Sequence, residues 1–303
     1  MAIGDLYEVE YPSVSDVYYL DTGMYDTAEY GALYVVDAPE PALVDTGIGP
    51  NVGNTLAALD ELGIGRDELS YIVPTHVHLD HAGGAGYLAA ECPSATVVCH
   101  EAGVPHLVDP ERLWEGTKRA VGEQFEHYRE PKPIPEERVR SVRGGDAIDL
   151  GDRVIDIYDA PGHAPHQAVF HSPHDDAVFV ADAAGIYAQR QDSVRPTSPP
   201  PSFDLDECLA DVATLRELDP AVLLYAHYGP AETGEKLDIY EGVLTEWVRE
   251  VAACREQLDD DEAVVEEMGE RTPVIEPWSE RKVRTEAEMN TRGVLEYLDG
   301  RAE

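Results

Sequence analysis

A run of metal-binding side chains within six residues limits what this chain can fold into more than any other feature of its sequence. His76, His78, Asp80 and His81 lie in the run T-H-V-H-L-D-H, after the β-rich stretch L-S-Y-I-V. Because side chains alternate along a strand, we expect His76 and His78 to point to the same side. Asp80 would continue that face where the chain turns, and His81 would open a helix. Four ligands then converge at one strand-to-helix junction, where imidazole and carboxylate together suit Zn²⁺, Fe or Mn.

The remaining pattern indicates a mixed α/β chain whose strands come in two batches. Short β-rich segments bounded by Gly, Pro and Asp occur in the first half at V-Y-Y-L, A-L-Y-V-V, P-A-L-V-D, L-S-Y-I-V and A-T-V-V-C. Asn51 is the expected cap of a helix that runs through about Leu62. The later elements predicted are a helix within 110–129, two strand pairs within 146–181, a proline-rich loop over 192–203, a helix over 206–218 and the strand A-V-L-L-Y. This order is consistent with two packed sheets and helices outside them.

The length of 303 residues allows one large domain or two small ones. We find no repeat and no linker long enough to separate two domains, so we predict a single domain over residues 1–303. Residues 231–303 form its helical C-terminal extension, in which Tyr240, Val243 and Trp247 share one apolar face. That face would either cover a pocket or pair with a second subunit, and a homodimer therefore remains one of the alternatives.

The charge of the chain is extreme, with 61 acidic residues against 22 basic ones and a formal net charge of −39. The acidic residues are spread along the whole length, and only four residues are lysine. Such self-repulsion destabilises a compact state at low ionic strength and is screened in molar salt. We interpret the composition as that of a halophilic protein. The charge argues only mildly against a nucleic-acid partner.

The cysteines and the N-terminus indicate a cytoplasmic protein. Cys92, Cys99, Cys208 and Cys254 lie far apart and form no C-x-x-C pair, which argues against a disulfide framework or a thiolate metal site. The first residues show no secretory signal, and no apolar run approaches the ~18–20 residues of a membrane span. We therefore expect no membrane partner.

The histidine motif, H-x-H-x-D-H followed by A-G-G, resembles the signature of the metallo-β-lactamase superfamily. Further motifs resemble that family's in the same order: L-V-D-T-G with Asp45, A-P-G-H with His163, V-A-D-A with Asp182 and Y-A-H-Y-G with His227. The resemblance covers about residues 15–230 and is closest to the glyoxalase II-like branch. It implies an α/β fold, an αββα sandwich of two mixed β-sheets flanked by helices, with the site at one edge of the sheets.

The resemblance also implies a site for two divalent metal ions, with Zn²⁺ favoured and Fe or Mn as alternatives. The implied ligands of the first ion are His76, His78 and His163. Those of the second ion are Asp80, His81 and His227. Asp182 would bridge the two ions, and it and Asp80 are the implied catalytic residues. Asp45 would not bind an ion itself but would orient the residues that do.

Departures from the family pattern narrow the choice of branch. Asp182 stands where some β-lactamases have a cysteine ligand, and His78 stands where flavodiiron proteins have an acidic residue. After His163 the chain reads A-P-H-Q, where glyoxalase II typically has T-x-G. His166 therefore either contacts substrate or caps a turn. Further predicted substrate contacts flank or lie in the proline-rich loop: Tyr187, Arg190, Arg195 and Phe203.

The function that the resemblance implies is hydrolysis of a small-molecule ester, thioester or lactone. A second alternative is phosphodiester cleavage of the ribonuclease Z kind, although the sequence shows no basic patch or inserted arm for RNA. A third is oxygen chemistry on a single iron, as in the persulfide dioxygenases. Substrate and metal identity separate these three alternatives.

The charge of the chain predicts that its folding depends on salt. We expect the melting temperature to be higher in molar KCl than in dilute buffer, because salt screens the repulsion among the acidic side chains. Thermal unfolding followed by circular dichroism measures this difference. A melting temperature that is the same in both solutions would contradict the halophilic interpretation.

Overall fold

Two β-sheets packed face to face form the centre of the computed structural model, which describes residues 2–258 and 260–301. The first sheet contains β1 (Leu6–Glu8), β2 (Val17–Asp21), β3 (Ala32–Val36), β4 (Ala42–Val44), β5 (Tyr71–Val73), β6 (Thr96–His100) and β7 (Val139–Val142). The second contains β8 (Ala147–Asp149), β9 (Val154–Asp159), β10 (Ala168–Ser172), β11 (Ala177–Ala181), β14 (Val222–Tyr225) and β15 (Gly229–Glu232). A small hairpin of β12 (Ile186–Ala188) and β13 (Ser193–Arg195) stands beside them. Of the predicted single domain 1–303, Met1, Asp259 and 302–303 lie outside the described residues.

Both sheets are mixed, and their parallel strands set up the functional edge. In the first sheet the strands follow chain order, with β1 to β4 antiparallel and β4 to β7 parallel. In the second the order is β15-β14-β11-β10-β9-β8, and only β11 and β14 are parallel neighbours. Strand β9 also runs in the direction of β11, since each is antiparallel to β10.

Inner strands such as β4 and β11 are apolar on both faces because each sheet is covered on both sides. In β11, Ala177 and Phe179 enter the core between the sheets, whereas Val178 and Val180 face the helices. In β4, Val44 faces the second sheet and Leu43 faces the outer helices. Strands buried in this way appear as continuous apolar runs in the sequence.

Helices cover the outer face of each sheet. They are α1 (Val52–Glu61), α2 (Leu79–Ala82), α3 (Ala85–Glu91), α4 (Val104–Val108), α5 (Glu111–Ala120), α6 (Leu205–Leu218), α7 (Lys236–Gln257), α8 (Asp261–Arg271) and α9 (Glu280–Gly300). Apolar residues of α1 and α3 pack on the first sheet, and those of α6 to α9 pack on the second. The predicted αββα sandwich is therefore confirmed. None of the helices within residues 2–258 and 260–301 combines the length and apolar character that a membrane crossing requires.

Two local predictions are wrong. His76 and His78 lie in a loop after β5 and not on a strand, because Pro74 has no amide hydrogen and the amide of Thr75 donates to the Asp45 carboxylate instead of to a neighbouring strand. Asn51 precedes α1 but makes no side-chain cap; its Nδ2 donates to the carbonyl oxygen of Thr22 at 2.6 Å.

The C-terminal helix α9 is joined to the proline-rich loop by close backbone contact. The amide of Ser198 donates to Oδ1 of Asn290 at 2.8 Å, and Oγ of Ser198 donates to the carbonyl oxygen of Asn290 at 3.0 Å. Gly293 lies one turn further along, where a Cβ atom would stand 1.9 Å from the carbonyl oxygen of Ser198. The absence of a side chain at Gly293 lets α9 approach the loop.

We expect Gly293→Ala to lower the free energy of unfolding by about 1–3 kcal/mol, since the methyl group must push α9 away from backbone atoms that cannot yield. Gly242→Ala in α7 is the matched control, because a Cβ there meets no atom within 4 Å. The control should raise stability by up to about 1 kcal/mol through its better helix propensity. Thermal and denaturant unfolding measure both changes, and equal stability of the two variants would refute the packing role of Gly293.

Candidate metal centre

The predicted ligands all follow the carboxyl ends of strands that point to one edge of the sandwich. Asp45 follows β4, and the histidine motif follows β5, its parallel neighbour. His163 comes after β9, Asp182 directly after β11 and His227 after β14, three strands that run in one direction. Residues distant along the chain therefore meet at one edge because the strand directions bring them there.

Three imidazoles form the first group at this edge. Nε2 of His76 lies 2.9 Å from Nδ1 of His78, and the same Nδ1 lies 3.1 Å from Nε2 of His163. All three rings are buried or nearly so. Three imidazole nitrogens that face one another this closely can share protons only pairwise, whereas a cation between them would accept a lone pair from each.

The second group consists of one carboxylate and two imidazoles. Oδ2 of Asp80 lies 3.5 Å from Nε2 of His227 and 3.7 Å from Nε2 of His81. These atoms all lie within 4.8 Å of one another, as do the atoms of the first group. The two groups are the two ligand sets that the sequence predicted.

Asp182 stands between the two groups. Its Oδ2 atom is 3.1 Å from Nε2 of His81 and 3.8 Å from Nε2 of His76, and its Oδ1 atom is 3.8 Å from Nε2 of His227. Among the described residues, the near partner of the buried Oδ2 atom is the His81 imidazole, whose pKa Asp182 helps to raise. A buried carboxylate is costly unless a cation neutralises it, and here a proton on His81 supplies the positive charge. The donor set therefore fits divalent metal ions, with Asp182 standing between the two ligand groups.

Asp45 fixes the orientation of these ligands without reaching the centre itself. Its Oδ1 atom accepts hydrogen bonds from the amide and the hydroxyl of Thr75 at 2.8 and 2.9 Å, and its Oδ2 atom is 3.0 Å from Nδ1 of His81. The imidazole of His81 must therefore direct Nε2 towards the cations. Tyr30 acts similarly on His227, whose Nδ1 atom is 3.2 Å from the Tyr30 carbonyl oxygen.

The electrostatics of the cluster give His78 and Asp80 the protonation states that metal ligands need, but they favour the protonated form of His81. Burial, and then the nearby His163, lowers the pKa of His78 to about 3, so this imidazole is a free base. Burial opposes ionisation of Asp80, but His81 and His227 hold the pKa of that carboxyl below its usual range. In His81 burial is outweighed by Asp45, Asp80 and Asp182, which raise its pKa. Metal binding must therefore displace a proton from His81, as expected when a cation replaces the proton as counter-charge.

A cavity of about 910 Å³ opens in front of the metal centre. His78, Asp80, His163, Asp182 and His227 line its base. Its walls come from α5, the proline-rich loop and α9. Lining residues that the sequence analysis did not single out are Lys282 and Glu286 of α9 and, from other segments, Tyr25, Tyr30 and Tyr128. They come from segments with no ligand motif, so only their three-dimensional placement reveals them.

Of the five predicted substrate contacts, His166 lines the cavity and the other four do not. Tyr187 is buried in the core, stacked on Tyr225 and hydrogen-bonded to Asp192. The guanidinium of Arg190 pairs with Glu29 outside the cavity. The two remaining residues are Phe203, which packs in the core against the Tyr297 ring, and Arg195, which lies on the small hairpin near enough to Lys282 and Glu286 of the cavity to lower their pKa values. Proximity to the loop in sequence did not predict the direction of these four side chains, and their contact with substrate stays a prediction.

Comparison with known proteins agrees with this architecture. The family model of the metallo-beta-lactamase superfamily matches residues 28–227. The metallo-beta-lactamase fold-containing protein ST1585 of Sulfurisphaera tokodaii is 28% identical over 215 residues, which are 69% of this chain and 77% of that protein. A hydroxyacylglutathione hydrolase of Erythrobacter litoralis is 23% identical over 193 residues, which are 62% of each chain. The crystal structure of ST1585 from Sulfolobus tokodaii superposes with a TM-score of 0.72 at 23% identity, covering 93% of this chain and 99% of that one.

We expect Asp45→Asn to weaken zinc binding about 10- to 100-fold, since the amide cannot hold both Thr75 and His81 as the carboxylate does. Competition titration with a chromogenic chelator measures this affinity. Asp60→Asn on the exposed surface of α1 is the control with the same change in charge. Equal zinc affinities of the two variants would show that Asp45 does not orient the ligands.

Proposed function

The chain belongs to the metallo-beta-lactamase superfamily, and on that premise we propose that it is a hydrolase that uses two divalent cations to cleave a small ester, thioester or lactone. The observation that carries this proposal is the position of Asp182, whose Oδ2 atom faces ligands of both groups. A site for one cation would need only one of the two groups. Zn²⁺ is the favoured cation, because the ligands are imidazoles and carboxylates.

The cations, when bound, would make hydroxide available from water near neutral pH and polarise the acyl oxygen of the substrate. The side chains of the protein carry out the remaining steps. Asp80 and Asp182 differ in access to the cavity: the side chain of Asp80 is 25% exposed and that of Asp182 is 3% exposed. Asp80 is therefore the carboxylate that can exchange protons with water or substrate in the cavity. Asp182 holds the two halves of the site at a fixed separation.

The walls of the cavity favour a small acyl substrate over a polynucleotide. Tyr25, Tyr30 and Tyr128 give one wall an aromatic surface, and the pair of Lys282 and Glu286 adds one charge of each sign. A net charge of −39 would repel a phosphate backbone. The relative from Erythrobacter litoralis, named a hydroxyacylglutathione hydrolase, adds support for a thioester.

We expect the protein to hydrolyse members of a panel of thioesters and lactones in high salt, and to lose this activity when a chelator removes the metal. Readdition of Zn²⁺, Mn²⁺ or Fe²⁺ one at a time should restore the activity, since the ligands stay in place on the rigid edge of the sheets. Turnover of phosphodiesters alone would favour the ribonuclease Z alternative. Oxygen consumption with one iron per chain would favour the dioxygenase alternative, and either result would contradict the proposal.

A further inference from the structure

His166 lies on a rigid turn at the rim of the first ligand group. The amide of Gln167 donates to the carbonyl oxygen of Ala164 at 2.9 Å, closing a turn that has Pro165 and His166 at its centre. Pro165 fixes its own φ angle, and the buried side chain of Gln167 donates to the carbonyl oxygen of Ala160 at 3.2 Å. The turn is thus anchored from both ends, which holds the His166 ring in place.

A backbone hydrogen bond sets the tautomer of this ring. The amide of Val77 donates to Nδ1 of His166 at 3.4 Å. Because an amide can only donate, Nδ1 must accept, and the proton of the neutral imidazole is on Nε2. Nδ1 is also unable to serve as a metal ligand, and His166 belongs to neither ligand group.

The His166 ring borders the same cavity as the metal ligands. The His166 ring centroid is 5.4 Å from that of His78 and 6.0 Å from that of His76, and His166 lines the cavity. Within the described residues, Nε2 has no hydrogen-bond partner, and it is not among the buried unpaired atoms. A fixed N–H group that lacks a protein acceptor and borders the cavity is available to a substrate.

We propose that Nε2–H of His166 donates a hydrogen bond to the substrate oxygen that becomes negative during hydrolysis. This inference rests on the proposed hydrolase function and assigns to it a residue outside the two ligand groups. The donor is held by the turn and the Val77 amide before substrate arrives, and such preorganised donors stabilise developing charge without reorganisation. No proton is transferred in this role, so a different N–H group at the same place would serve as well.

Three substitutions separate the proposed role from packing. Gln places an amide N–H near the position of Nε2, Asn places its amide near Nδ1 and out of reach of the cavity, and Leu has no donor. The first measurement is the Kd of inorganic phosphate, a tetrahedral oxyanion, for the zinc-loaded protein by calorimetry. His166→Leu and His166→Asn should weaken phosphate about tenfold or more, as expected for the loss of a hydrogen bond to a charged group. His166→Gln should stay within about threefold of the parent.

The second measurement is kcat/KM on the best ester or thioester, which should fall about 10²- to 10³-fold in the Leu and Asn variants and much less in Gln. His171→Leu is the control, since this half-buried histidine of β10 does not line the cavity. The proposal would be overturned if the Gln variant were as impaired as the Leu variant in phosphate affinity and kcat/KM. It would also be overturned if all three variants equalled the parent in both quantities. Loss of zinc from the Leu and Asn variants, measured by elemental analysis, would overturn it as well. If no ester or thioester is turned over, the hydrolase proposal fails, while the phosphate affinities still decide the role of His166.

Discussion

The site depends above all on one carboxylate that joins two neighbouring strand ends. Asp45, at the end of β4, binds Thr75 through both its amide and its hydroxyl and reaches His81 with its other oxygen. These bonds turn the chain out of β5 and into the ligand loop. They also hold the His81 ring, which belongs to the second ligand group and contacts Asp182. Pro74 and this connection together end β5 before the histidines, so that the chain leaves the sheet and enters the ligand loop.

The order of motifs along the chain was sufficient to predict the fold and the composition of the cluster. The αββα sandwich and the membership of the superfamily are confirmed, and the ligands predicted from the motifs lie together at one edge. The ligand set was implied by the resemblance to a known family, and the structure adds the physical reason that a residue directly after a strand, such as Asp182 after β11, is placed by that strand. Apolar runs made these strands visible in the sequence.

What the sequence could not predict lies on the walls of the cavity. Tyr187 and Arg190 follow Asp182 closely, yet one enters the core and the other pairs with Glu29. Lys282 is 55 residues beyond His227 of the last motif and lies in the cavity wall, because α9 packs back onto the proline-rich loop. The direction of a loop and the packing of a helix depend on contacts between residues far apart in sequence. Such contacts produce no periodic pattern of residues. Placement in sequence is therefore a poor guide to substrate contacts.

The central claim is that seven side chains hold two cations at a shared edge. A crystal structure of the zinc-loaded protein, with data collected on both sides of the zinc absorption edge, tests it most directly. The account predicts two anomalous peaks about 3.5–4 Å apart, with Asp182 in contact with both. One peak would lie among His76, His78 and His163, and the other among Asp80, His81 and His227. A single peak at full zinc loading, or a peak away from these groups, would contradict it.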